Sequence, residues 1–186
     1  NYGDPINHED IIKKIGLPCF VKANRSGSSY GISKVYAPDQ MEAALEIAFK
    51  EDKEVIIEAA LVGREVSVGV IQYQGETKVL PITEILSEND FFDYQAKYEG
   101  KSTEITPAEL EPELEQKIIA IATFIYNTLK LKGFTRSEFI LVNNIPHLLE
   151  VNTTPGMTQH SILPQQAKKA GISLPELFES ALLAIL

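Results

Sequence analysis

RSEFILVNNIPHLLEVNTTPG, residues 136–156, is the stretch on which the fold turns. An apolar run carries an acid at Glu138, turns over at NNIP, and returns with Glu150 and Asn152 two apart. Two apolar runs around such a turn predict a β-hairpin. Strand side chains alternate, so Arg136, Glu138 and Ile140 share one face, and Leu148, Glu150 and Asn152 share one face of the returning strand. Pairing residue 140 with residue 150 sets Glu138 across from Asn152. Two carboxylates and an amide oxygen then converge, with Arg136 at the rim. Buried carboxylates need partners, and hard oxygen donors suit Mg²⁺ shared with substrate phosphates. The same pattern also fits acids on a wet hairpin face, paired with surface lysines.

Outward from the hairpin, PELEQKIIAIATFIYNTLK (112–130) is the clearest helix. Pro112 suits its first turn, Leu114, Ile118, Ile121, Ala122, Ile125 and Leu129 form its apolar stripe, and Gly133 follows its end. PDQMEAALEIAFKE (38–51) has helical spacing, a short helix is expected at 164–170, and Ser173-x-x-Glu176 opens a last one. PCFVKA (18–23), YGISKVY (30–36), EVIIEAAL (54–61), REVSVGVIQ (64–72) and KVLPITEIL (78–86) read as strands. The polar, aromatic stretch 87–107 reads as a functional or mobile loop. Helices mixed with hairpins, without strict βαβ alternation, predict an α+β fold. A break near Gly63 divides the chain into lobes 1–64 and 65–186.

The 186 residues are 44% hydrophobic, enough for a real core without disulfides. The single Cys19 lies in an apolar run and reads as a buried small hydrophobe in a reducing compartment. A net charge of −9 argues against nucleic acid as partner. No apolar stretch reaches about 18 residues, so no membrane span is expected. The opening NYGDPINHED reads as an abrupt start inside a longer protein, or as residues that are not native to it.

Four further stretches carry chemistry. Lys22 precedes NRSGSSYG (24–31), where Gly27 and Gly31 bracket Ser28 and Ser29. Glycines let backbone N–H groups approach a phosphate, and hydroxyls add donors; a plain hairpin tip has the same composition. EVIIEAALVGRE (54–65) could offer backbone groups to a base edge, with Glu65 placed for a ribose. FFDYQAKY (91–98) sets Lys97 and Tyr98 in the long loop, which could close over a phosphate. In NTTPGMTQHS (152–161), the Pro155-Gly156 turn could aim an N–H at an oxyanion. A hydrolase built on His160 and Ser161 is disfavoured, because no G-x-S-x-G elbow is present.

Together, GLPCFVKANRSGSSYGISKV, EVIIEAALVGREVSV, FFDYQAKY, TRSEFIL and LLEVNTTPGMTQHSILPQQAKKAG resemble the D-alanine–D-alanine ligases of the ATP-grasp superfamily, in the order of that family. The resemblance implies an ATP-grasp fold of two lobes. It implies a cytoplasmic enzyme of peptidoglycan precursor synthesis, with D-alanine and ATP as substrates and two Mg²⁺ or Mn²⁺ ions. By the same likeness, Lys22 and Lys97 touch phosphates, and Ser28, Ser29 and Gly31 belong to the phosphate loop. Ser28 also lies near the first D-alanine, and Tyr98 helps to close the mobile loop. Residues 58–61, Glu58, Ala59 and Leu61 among them, hold adenine, and Glu65 holds the ribose. Arg136 and the Gly156 N–H stabilise the tetrahedral oxyanion. Glu138, Glu150 and Asn152 bind the metal ions, and Ser161 holds the second D-alanine's carboxylate. Two departures stand out: Glu138 where the family usually has Asp, and Ala23 where Pro usually follows the lysine. The family's N-terminal domain, which contributes a glutamate to the site, is expected ahead of this region, with a homodimer formed at full length. D-Alanyl-D-lactate and D-alanyl-D-serine ligases are the alternatives within the class. A nucleotide-binding module without turnover is the alternative outside it.

Overall fold

The computed structural model of the chain describes residues 1–27, 29–87 and 102–186. Among these residues, contacts gather into two compact units, Asn1–Leu61 on one side and Val62–Leu86 with Ser102–Leu186 on the other.

The first unit holds α1 (His8–Ile15), β1 (Cys19–Ala23), β2 (Ser33–Val35), α2 (Met41–Glu51) and β3 (Val55–Ala59). Its sheet has the order β2-β1-β3, with both pairings antiparallel. Alternation sorts β1 into two faces. Cys19, Val21 and Ala23 are buried with Val35 and with Met41, Ala44, Leu45 and Ala48 of α2. Phe20 and Lys22 turn to the other face, where Lys34 and Glu58 also lie by register. Helix α1 was not read from the sequence: Asn7 caps it, accepting from the Asp10 N–H at 3.2 Å. Glu9 and Asp10 at its start and Lys13 and Lys14 at its end suit the helix dipole.

The second unit holds β4 (Arg64–Tyr73), β5 (Glu76–Val79), β6 (Thr83–Ser87), β7 (Ser102–Ile105), α3 (Pro112–Thr128), β8 (Phe134–Val142), β9 (Ile145–Asn152), α4 (Ile162–Lys169) and α5 (Leu174–Leu183). The sheet runs β7-β6-β4-β8-β9, and β5 pairs with β4. Val66, Val68, Val70, Phe139 and Leu141 face Leu114, Ile118, Ala122 and Tyr126 of α3. Each Val, Leu, Ile or Phe side chain among them contributes about 1.5–3 kcal/mol on burial. On the opposite face Ile71 packs with Leu80, Leu163, Ala167, Ile172 and Leu177.

Two expectations are corrected here. The run 78–86 is two strands, not one, because Pro81 has no N–H to give a ladder. The two strands pair with opposite ends of β4, β5 from Val70 to Tyr73 and β6 from Glu65 to Ser67. The stretch 87–107 also contains β7, which extends the sheet beyond β6.

Candidate functional site

The hairpin 134–152 sets the geometry of the larger unit. Asn143 and Asn144 take φ values of 50° and 61°, the left-handed pair of a tight two-residue turn. From that turn Val142 pairs with Ile145, Leu141 with Pro146, Ile140 with His147 and Phe139 with Leu148. A β-bulge then shifts the register, so Glu138 pairs with Glu150, Ser137 with Val151 and Arg136 with Asn152. This corrects the expected pairing of residue 140 with residue 150 and of Glu138 with Asn152. The turn is tighter than that pairing needs, and one extra residue in β9 restores the parity. Without the bulge Glu138 would oppose Leu149, and Glu150 would turn toward the α3 face.

On the face away from α3, three strands bring polar groups side by side. Ser67 of β4 lies beside Glu138, and Gly69 beside Arg136. Arg136 Nε donates to Glu138 Oε1 at 2.5 Å, and Ser67 Oγ donates to the same oxygen at 3.3 Å. Glu138 is 4% exposed, and its Oε2 is buried with no hydrogen-bond partner among the described residues. Burial pushes the Glu138 carboxyl above its ordinary value, Arg136 pulls it back, and Glu150 adds to the rise. Glu150 is exposed and Asn152 half-buried. Asn152 Oδ1 accepts from the Thr154 N–H at 2.9 Å, leaving that oxygen a second lone pair.

The donor set at this edge is therefore two facing carboxylates, one with a buried oxygen in need of a partner, and one amide oxygen. Those are the donors that Mg²⁺ or Mn²⁺ takes, with positions left over for phosphate oxygens. Among the described residues, no group of three or more His, Cys, Asp or Glu stands ready to hold an ion. Metal held here would need Asn152 or a ligand's own oxygens to fill its shell.

Chain leaving β9 bends at Thr153 and Thr154, runs through Pro155 and Gly156 without the turn expected there, then turns at 158–161, where the Ser161 N–H donates to the Thr158 carbonyl at 2.9 Å, and enters α4. Ser161 Oγ accepts from the Thr158 N–H at 3.1 Å and shares a hydrogen bond with Thr158 Oγ1 at 2.9 Å. A Cβ on Gly156 would meet Ser161 Oγ at 2.8 Å, so the two predicted residues are neighbours. Helix α4 is tied to the sheet by adjacent glutamines. Gln166 Nε2 donates to the Ser67 carbonyl at 2.9 Å and to Thr83 Oγ1 at 3.0 Å. Gln165 Nε2 donates to the His160 carbonyl at 2.8 Å and to Glu104 Oε2 at 3.2 Å. Burial raises the Glu104 carboxyl, with Arg136 opposing and Glu138 adding. Glu65 lies on the same face of β4 as Ser67, two residues away, across from Ile140.

In the smaller unit, Lys22 Nζ pairs with Glu58 Oε1 at 2.7 Å. The two predicted residues thus neutralise each other across β1 and β3. Ala59 ends β3 opposite Cys19, the Ala60 N–H donates to the Pro18 carbonyl at 3.1 Å, and Leu61 is 42% exposed. Ser29 and Gly31 take φ values of 60° and 70°. A Cβ on Gly31 would meet Glu51 Cγ at 2.8 Å, whereas one on Gly27 would meet nothing within 4 Å. Ser28, Lys97 and Tyr98 lie outside the described residues.

The sequence reading missed Ser67, Glu104 and the two glutamines. Ser67 had a signal, a polar residue alternating with Val66 and Val68. The others act through contacts with strands far away in sequence, which no local pattern reports.

Comparison with known proteins places this arrangement. The family profile "D-ala D-ala ligase C-terminus" matches residues 4–183. D-alanine–D-alanine ligase of Flavobacterium johnsoniae is 62% identical over 182 residues, covering 98% of this chain and 56% of that relative. Among solved structures, the Bacillus anthracis D-alanine–D-alanine ligase complexed with ATP superposes with a TM-score of 0.82 at 31% identity, over 98% of this chain and 57% of that one. VanG, a D-Ala:D-Ser ligase of Enterococcus faecalis, superposes with a TM-score of 0.81 at 34% identity, over 96% of this chain and 52% of that one. The chain thus spans little more than half the length of the proteins it matches. With its α+β architecture and its acidic hairpin edge, the chain belongs to the family of D-alanine–D-alanine ligase C-terminal regions, of ATP-grasp fold.

Proposed function

We propose that this chain is the nucleotide- and metal-binding part of an enzyme that joins two D-alanines into D-alanyl-D-alanine for peptidoglycan precursors. The observation that carries this reading is the Arg136–Glu138 pair, whose buried Glu138 Oε2 has no partner among the described residues and whose strand neighbour is Glu150. In this reading the first D-alanine's carboxylate attacks the γ-phosphate of ATP, giving an acyl phosphate and ADP. The second D-alanine's amine then displaces phosphate.

Glu138, Glu150 and Asn152 hold the divalent ions, Mg²⁺ or Mn²⁺. Two bound ions would supply positive charge to the triphosphate. Arg136 stands beside those acids and neutralises the oxyanion together with the Gly156 N–H. Ser161, a neighbour of Gly156, takes the carboxylate of the second substrate, with Thr158 sharing its hydroxyl. Lys22 and Lys97 bind phosphate oxygens, and Ser28, Ser29 and Gly31 line the phosphate loop. Glu58, Ala59 and Leu61 hold adenine, Glu65 the ribose, and Tyr98 closes the site. The enzyme works in the cytoplasm as a homodimer, with an N-terminal domain completing each site. Among the described residues no helix is long and apolar enough to cross a membrane.

The likeness to VanG names the competing reading, D-serine as the second substrate, while the 62% identity to a D-alanine–D-alanine ligase favours D-alanine. ADP release and ligated product are measured with the chain joined to its N-terminal domain, offering D-alanine, D-lactate and D-serine in competition. D-Alanyl-D-alanine as the dominant product supports the first reading, and D-alanyl-D-serine supports the second. ADP release with no ligated product overturns both. The 186 residues alone are expected to bind ATP with little or no turnover.

A further inference from the structure

The segment between β1 and β2 is tied at its start to the chain that leaves α2, and its far end lies close against the last turn of α2. At its start, the Arg25 backbone N–H donates to Asp52 Oδ2 at 2.9 Å. The Arg25 guanidinium adds bonds to Asp52 at 3.1 and 3.3 Å and a contact with Glu54 at 2.8 Å. The Asn24 N–H donates to the Glu54 carbonyl at 2.9 Å, and Asn24 Nδ2 to Glu54 Oε2 at 3.2 Å. At the other end Gly31, at φ 70°, lies so close to α2 that a Cβ would meet Glu51 Cγ at 2.8 Å. Asp52 is the residue that ends α2, and its own Oδ1 accepts from the Glu54 N–H at 3.3 Å. The Asp52 carboxylate therefore holds two backbone N–H groups and one guanidinium, and its side chain is 10% exposed.

We infer that Asp52 and Arg25 are positioning residues for nucleotide binding. They fix the start of the loop relative to the end of α2 before a phosphate arrives. Neither residue touches the ligand in this account. The inference rests on the reading of 24–31 as a phosphate loop. Apparent affinity falls in proportion to the fraction of protein whose loop is in the binding conformation. Loss of the anchor therefore weakens ATP binding while leaving the β1–β3 sheet intact.

The test uses the 186-residue chain with Arg25→Ala, Asp52→Ala, the double variant and Arg25→Lys. ATP affinity is measured by calorimetry with Mg²⁺, and backbone order at residues 24–31 by NMR relaxation. Each alanine variant is expected to bind ATP roughly tenfold more weakly. Order parameters in the segment are expected to fall toward the flexible range, below about 0.6, with those of β1 unchanged. The double variant is expected to lose no more than either single one, because both break one unit. Arg25→Lys keeps the charge without the fork and is expected to fall between. Unchanged order in the segment, or lower order with unchanged ATP affinity, overturns the inference. Absence of ATP binding by the unaltered chain sinks the phosphate-loop reading instead, and the order parameters still report whether the anchor exists.

Discussion

Glu138 of β8 pairs directly with Glu150 of β9, one carboxylate buried and the other exposed. Directly opposed like charges destabilise a strand pair. Arg136 offsets part of that repulsion from within β8. A divalent cation between the acids would offset the rest, and this sets the first prediction. Glu150→Gln is expected to raise the Mg²⁺ concentration needed for half-maximal turnover of the complete enzyme by an order of magnitude or more, the scale of loss expected around a metal site. In the metal-free chain the same change relieves repulsion and is expected to leave the melting temperature equal or higher. An unchanged Mg²⁺ titration would mean that the hairpin acids are structural.

Arg136→Ala removes both an oxyanion donor and the counter-charge of a buried acid. Turnover of the complete enzyme is expected to fall by about 10²–10³. The metal-free chain is expected to lose about 3–5 kcal/mol, because Glu138 is left buried and unpaired. Adding Glu138→Gln to Arg136→Ala is expected to return stability without returning turnover. Recovery of both in the double variant would show that Arg136 is purely structural.

The two loop glycines are expected to behave differently. Gly31→Ala puts a side chain at φ 70° and within 2.8 Å of Glu51. A cost of about 1–2 kcal/mol is expected from the left-handed conformation alone. Gly27→Ala enters open space at an ordinary φ and is expected to leave stability within about 0.5 kcal/mol. Thermal melts of the two variants separate these outcomes, and equal losses would contradict the local geometry.

Tyr126 donates to the Gly133 carbonyl at 3.0 Å from within the α3 core. Burial pushes its hydroxyl from the ordinary 10.0 up to about 12. Between those values the unfolded chain has lost the phenolic proton while the folded chain keeps it. Stability from this group is therefore complete below pH 10 and is lost as pH rises toward 12. Tyr126→Phe is expected to cost about 0.5–1.5 kcal/mol at neutral pH, since the Gly133 carbonyl loses one donor but keeps the Gln72 N–H at 2.9 Å. The variant's denaturant midpoint is also expected to decline less steeply than the parent's in alkali. Parallel declines would assign the alkaline sensitivity to other groups.

Much of this molecule was legible before any coordinates. Period-two alternation in 64–72 and 134–142 and the apolar stripe of 112–130 are local patterns, and local patterns report which face of an element is buried. The acids of the hairpin, the glycines of 24–31 and the shared order of five motifs pointed to the family for the same reason, because residue types carry their chemistry with them. What the pattern could not supply was pairing. Whether Glu138 meets Glu150 or Asn152 depends on one extra residue in β9, and a bulge leaves no mark in composition. Lys22 with Glu58, Arg25 with Asp52 and Gln166 with the Ser67 carbonyl join residues far apart in sequence, brought together only when sheets and helices pack. Sequence alone determined the elements and the chemistry available to them. Tertiary structure decided which charges face one another, because electrostatic and hydrogen-bond energies depend on distances that only the packed chain defines.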